Sequence, residues 1–279
     1  MKKILFFAET QCITSLLLAI FIGIIIPNKA HAIDITLGGT TWYAQSEQYY
    51  TQNKSAAGSI NNSIAKSDPA FLFGPTLAVR FNNDFNLTFV FLYGNFENEK
   101  NQGGGRSSST KFSRSDSDLA LNYRLSQYFK AFAGIKYLSY GITPAKTDYV
   151  SFQVKNVDIH KSYGPGIGLS ATIPVSPVSE NLFVLGTVSG LYLWGSHSAS
   201  ITDINGYSNP RNTDLKYNEY GFNSTLSLAY YITPASIVIS LGGRFQYLIA
   251  DYNKNPIYLD SVKFTIFGAT LTATYNFSI

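Results

Sequence analysis

The stretch AFLFGPTLAVRFNNDFNLTFVFLYGNF, residues 70–96, decides the fold. Its large apolar side chains recur at every second position, first Phe71, Phe73, Leu77, Val79 and Phe81, then Phe85, Leu87, Phe89, Phe91 and Tyr93. Gly74, Thr76, Ala78 and Arg80 stand between them in the first run. A period of two means extended strands with two chemically different faces. Asn82-Asn83-Asp84 separates the runs, and because Asn and Asp tolerate left-handed backbone the chain reverses there in three residues. Each run is as long as the roughly 9 to 11 residues with which a tilted strand crosses a bilayer.

Eight further segments repeat the pattern outward from this hairpin: 33–44, 117–125, 128–140, 160–173, 182–194, 219–231, 236–250 and 261–279. The segment 182–194 is apolar on both faces, so alternation does not assign its sides. The connections alternate in length. Short ones fall at Asn82–Asp84, Ser126–Gln127, Pro174–Asn181 and Thr233–Pro234. Long polar ones span Gln45–Pro69, Glu97–Asp116, Gly141–Ile159, Gly195–Asn218 and Asp251–Asp260. Short turns at one rim and long loops at the other is the plan of a membrane barrel with periplasmic turns and extracellular loops. The sequence therefore predicts an all-β, closed antiparallel up-and-down transmembrane β-barrel of ten strands, with 8 or 12 as the neighbouring even counts. A soluble exported sandwich is the competing architecture.

The N-terminus agrees with export. Lys2 and Lys3 precede a 14-residue apolar stretch, 13–26, too short to span a bilayer as a helix, and Ala30 and Ala32 supply an A-x-A cleavage pattern. The expected organisation is a secretory signal peptide over 1–32 and a barrel domain over 33–279, placed in the outer membrane of a Gram-negative envelope. Cys12 lies within the signal, so residues 33–279 contain no cysteine, which excludes disulfides, thiol nucleophiles and Cys-ligated metals there. Without Lys2, Lys3, Lys29 and Glu9, 18 basic and 16 acidic side chains remain, a balance that argues against nucleic-acid binding. No cofactor motif is present. The 42 aromatic residues are dense for 279. Tyr43, Tyr93, Tyr137, Tyr163, Tyr192, Trp194, Tyr220 and Tyr247 fall toward the loop-side ends of their segments, where an interfacial girdle belongs.

The last segment resembles the C-terminal assembly signal of bacterial outer-membrane β-barrel proteins, with Phe267, Ala269, Leu271, Ala273, Tyr275, Phe277 and Ile279 on one face. Ile279 stands where that signal ends in an aromatic. The resemblance implies transit with periplasmic chaperones and the barrel assembly machinery, and residence among outer-membrane lipids and lipopolysaccharide. The strand count is similar to that of the omptin proteases.

Two sets of residues carry candidate chemistry. Arg80, Asp118, Arg124, Lys130, Lys136, Glu219 and Arg244 fall on the inward face and either line a water-filled pore or pair across a filled lumen. The spacing of His160 and Ser162 is similar to the His-x-Ser pair of outer-membrane phospholipase A and lipid A deacylase, and Asp158 with His160 is similar to the Asp/His pair of an omptin-like hydrolase. The parity of Tyr163, Ile167 and Leu169 turns His160 and Ser162 toward the lumen rather than lipid, which favours a polar mouth residue over catalysis. His197, read as lying in a long loop near Asp203, lacks a metal ligand set. Gly103-Gly104-Gly105-Arg106 lacks the Lys-Ser/Thr of a phosphate loop. The functional expectation is a non-enzymatic barrel acting in envelope structure, surface binding or limited solute passage. An outer-membrane hydrolase using His160 and an open diffusion porin are the alternatives.

Overall fold

The computed structural model describes residues 33–51, 62–101, 107–143, 154–176, 178–203, 211–252 and 261–278. Its strands are β1 (Asp34–Thr51), β2 (Asn62–Lys66), β3 (Ala70–Arg80), β4 (Phe85–Asn101), β5 (Ser107–Arg124) and β6 (Phe129–Thr143). They continue as β7 (Val154–Pro174), β8 (Leu182–Asp203), β9 (Arg211–Ile232), β10 (Ile237–Asp251) and β11 (Ser261–Ser278). Each pairs antiparallel with its neighbours, and β11 returns to β1 over the register Asp34↔Ser278 to Thr51↔Ser261. The sheet thus closes across the apolar belt, where no strand edge is left free.

Both β2 and β3 pair with β1, and together they occupy one barrel position, which makes ten. Three residues, Ser67–Pro69, stand opposite Gln45 and Ser46 at the break, a one-residue bulge. It is tied down on both sides: Ser67 N–H donates to Ser46 O at 2.9 Å, and Ser46 N–H donates to Ser67 Oγ at 3.0 Å. Pro69 cannot donate to the ladder, which suits it to this interruption.

The short turns form as their residues dictate. Asn82 Oδ1 accepts from the backbone N–H of Asp84 at 2.9 Å and of Phe85 at 2.8 Å, and Ser126 Oγ accepts from Phe129 N–H at 3.2 Å. Thr233–Ala235 is a single 3-10 turn, and Ser236 after it has φ 53°, the only positive φ at a described non-glycine residue.

The long connections differ from expectation. The segment Glu97–Asp116 is mostly ladder, with β4 and β5 paired from Phe85↔Tyr123 out to Asn101↔Ser107. Likewise β8 and β9 each run 22 residues, about twice what crosses a bilayer. Alternation of apolar and polar marks a strand only where its two faces meet lipid and lumen. Beyond the membrane the outer face is polar and the contrast between the faces weakens, while the backbone ladder continues unaffected.

The outer surface is an apolar belt. Phe73, Ile135, Ile167, Leu226 and Leu241, from five strands, each expose more than 60% of their surface. A contiguous band of this kind has no place in water. The expected girdle residues all face outward; among them Tyr163 and Trp194 lie 6.2 Å apart and Tyr192 and Trp194 5.8 Å, ring to ring. The structure also assigns the sides of β8: Val188, Tyr192 and Trp194 face out, while Leu191 and Leu193 are buried inside.

Candidate functional site

Inward side chains fill the loop-side half of the lumen. Fully buried residues come from opposite walls, among them Trp42 in β1, Leu92 in β4, Leu138 in β6, Leu193 in β8 and Leu248 in β10. They gather in two apolar clusters. One joins Trp42, Leu72, Leu92, Phe96, Phe112 and Ile266, with Phe96 and Phe112 stacked at 5.0 Å. The other joins Leu138, Tyr140, Leu191, Leu193, Leu248 and Phe264, with Tyr140 and Phe264 stacked at 5.2 Å.

A charged network accompanies them. Lys136 Nζ donates to Asp116 Oδ1 at 2.6 Å and to both Asp118 oxygens at 2.9 and 3.0 Å. Arg114 Nη2 and Arg244 Nη2 each donate to Asp116 Oδ2 at 3.3 Å. Arg244 reaches Asp118 as well, at 3.4 Å, and its Nε donates to Asn223 Oδ1 at 3.1 Å. Arg114 Nη2 also donates to Gln246 Oε1. Each guanidinium lies over an aromatic face, Arg114 over Tyr140 at 4.5 Å and Arg244 over Trp42 at 4.6 Å. Asp116 is thus shared by three cations from three strands. Beside them Ser162 Oγ donates to Glu219 Oε2 at 2.5 Å, both residues fully buried. Arg114 Nε and Nη1, Gln246 Nε2 and Glu219 Oε1 have no protein partner, so the network carries a desolvation cost.

The seven inward charges expected from sequence divide by height. Asp118, Lys136, Glu219 and Arg244 belong to this network. Arg80, Arg124 and Lys130 lie at the turn-side rim: Arg80 pairs with Asp34 at 3.2 Å where both are exposed, and Arg124 Nε donates to Ser126 O at 3.3 Å. The turn-side lumen between is lined by small polar groups. Thr40 Oγ1 lies 2.8 Å from Thr76 Oγ1 and 2.9 Å from Thr272 Oγ1, and Thr36 Oγ1 donates to Asn276 Oδ1 at 2.6 Å.

Arg114 and Asp116, the centre of the network, were missed because they lie in the polar stretch read as a loop. Their signal was faint but present: Phe112, Arg114, Asp116 and Asp118 alternate with Ser113, Ser115 and Ser117. On β7, Phe132 lies over Gly168 and Leu191 over Gly166.

His160 faces the lumen as its parity required. Tyr252 OH lies 3.3 Å from its Nδ1, and Ser162 beside it is bonded to Glu219. His197 is not in a loop: it lies in β8, buried on the inner wall, where it pairs directly with His160. The backbone of Asp158 lies in β7, but its side chain is outside the described residues, as are Ala30, Ala32, Gly103–Arg106 and Ile279. Tyr275 and Phe277 face outward at the turn-side end of β11, 6.0 Å apart ring to ring.

Among solved structures the outer membrane protease OmpT of Escherichia coli matches 90% of this chain and 99% of its own, with TM-score 0.61 and 14% identity. The chain has the outer-membrane β-barrel fold. With its apolar belt and aromatic girdle, the barrel is an integral protein of the bacterial outer membrane. Looser matches are the translocator domain of the autotransporter NalP of Neisseria meningitidis and the outer membrane protein AlkL. The first covers 96% of this chain and 95% of that one, with TM-score 0.42 and 10% identity. The second covers 91% and 96%, with TM-score 0.41 and 11% identity. No protein-family model and no curated protein matches the barrel's sequence.

Proposed function

We propose that this protein is a non-conducting, non-catalytic outer-membrane barrel that stiffens the envelope and makes its contacts at the loop-side rim. One observation carries the reading: buried side chains from opposite walls fill the loop-side lumen and are knit by Asp116 into one charged network. A diffusion pore needs a continuous water-lined path, whose lining is solvent-accessible along its whole length. Ion pairs at 0 to 7% exposure do not provide one. The strands run past the girdle, so their loop-side ends stand well clear of the bilayer, which suits surface binding. Outer-leaflet lipids and lipopolysaccharide are the surroundings this belt fits, and delivery falls to the periplasmic chaperones and assembly machinery that barrels use.

A hydrolase reading has less support. OmpT is a protease by name, yet at 14% identity the likeness is one of fold. The Ser162 hydroxyl is fully buried and already donates to Glu219, which leaves no room for a substrate carbonyl. The experiment is single-channel recording of the refolded chain in planar bilayers, with heat-modifiable migration as proof of folding. Electrical silence from a heat-modifiable barrel is expected. Stable, discrete conductance steps overturn the proposal and make the barrel a pore.

A further inference from the structure

His160 and His197 are far apart in sequence and share no motif, yet they are direct cross-strand partners on the inner wall. Their rings stack with centroids 3.9 Å apart and planes 14° apart. They are also the two histidines of residues 33–279, since the third in the chain is His31. The Tyr252 hydroxyl adjoins the pair, 3.3 Å from His160 Nδ1. The pair sits at the loop-side edge of the filled lumen, with His160 half-buried and His197 buried.

We propose that His160 and His197 form a two-histidine site for a divalent transition-metal ion of the copper, nickel or zinc kind, with the Tyr252 phenol beside it. Directly opposed residues of antiparallel strands hold their Cβ atoms about 4.5–5.5 Å apart. That spacing lets two imidazoles bring one nitrogen each to a common ion at about 2.0–2.1 Å. The stacked rings converge by rotation about χ2, a broad torsion in histidine, with no backbone movement. Apolar packing alone does not account for the pair. The surrounding cluster is built from Tyr140, Tyr217 and Phe264, whereas two imidazoles carry four ring nitrogens into it. Imidazole is the side chain that suits these metals, and neutral imidazole is their ligand.

Among the described residues no group of three or more His, Cys, Asp or Glu side chains converges there. Among the described residues this leaves the remaining coordination positions to the phenol, water or an incoming ligand, the arrangement of an exchangeable site. Copper(II) binds tightest in such a set, by the usual order of divalent affinities.

The test is Cu2+ titration of the untagged mature chain, folded in detergent, followed by calorimetry and electron paramagnetic resonance. One equivalent is expected, with superhyperfine coupling from two imidazole nitrogens. His160→Gln and His197→Gln are each expected to weaken binding about tenfold or more and to remove one of the two couplings, in barrels that stay heat-modifiable. Equal binding by the wild type and the double variant overturns the proposal. Should a variant fail to fold, the wild-type spectrum still decides. No other histidine lies in residues 33–279, so copper bound without two imidazole couplings is copper bound elsewhere, and the site is refuted.

Discussion

The two halves of the lumen are built on opposite principles. On the turn side, threonines and asparagines hydrogen-bond from strand to strand, and the charges Arg80, Asp34, Arg124 and Lys130 sit at the rim within reach of water. On the loop side, Trp42, Phe96, Leu138 and Leu193 exclude water, and the charges among them are gathered on Asp116, held by Lys136 from the adjacent strand and by Arg244 from across the lumen. An ion pair in the first half is a surface pair and contributes little. One in the second half is a buried pair, whose loss leaves an uncompensated charge in a dry interior. The same chemistry thus carries different energies at the two ends of one barrel.

Three substitutions break or sharpen that contrast. Asp116→Ala removes the carboxylate shared by Arg114, Lys136 and Arg244, and is expected to cost about 3–5 kcal/mol in urea unfolding followed by tryptophan fluorescence. Ile167→Arg leaves the lumen intact and tests the belt. A cation on the lipid face costs about 2–4 kcal/mol near the bilayer midplane, and the variant is expected to fold less completely in bilayers than in detergent. Asp34→Ala removes the partner of Arg80 at the turn-side rim, and a change under about 1 kcal/mol is expected by the same unfolding assay. If Asp34→Ala and Asp116→Ala cost the same, the division into a wet and a dry half fails.

What was legible in the sequence follows the membrane. Between girdle and turn, each strand has lipid on one face and the lumen on the other, so Leu77, Ile167, Leu169, Leu226 and Leu228 alternate with small or polar partners and give away both strand and side. Only β8, apolar on both faces, needed its neighbours: Thr187 meets Thr225 inside at 2.6 Å, while Val188 and Trp194 face out. Above the girdle the outer face meets water and the contrast vanishes, which is why Arg114 and Asp116 read as loop. The pairings themselves are non-local. Asp116 meets Arg244 across the lumen, and Ser162 meets Glu219 over the intervening strand β8, by strand register rather than by sequence spacing. His160 meets His197 because β7 and β8 keep one register from Phe183 to Asp203, well past the girdle residues Tyr163 and Trp194.

Residues 33–279 contain no cysteine, so single cysteines placed on the inner wall report water access without background. The decisive measurement compares Thr40→Cys on the turn side with Leu193→Cys on the loop side, each folded in lipid and exposed to a small charged thiol reagent. Rapid modification is expected at position 40, and protection at position 193 until the barrel is unfolded. Equal rates at both positions would mean that water passes the length of the lumen, and the filled half would not exist.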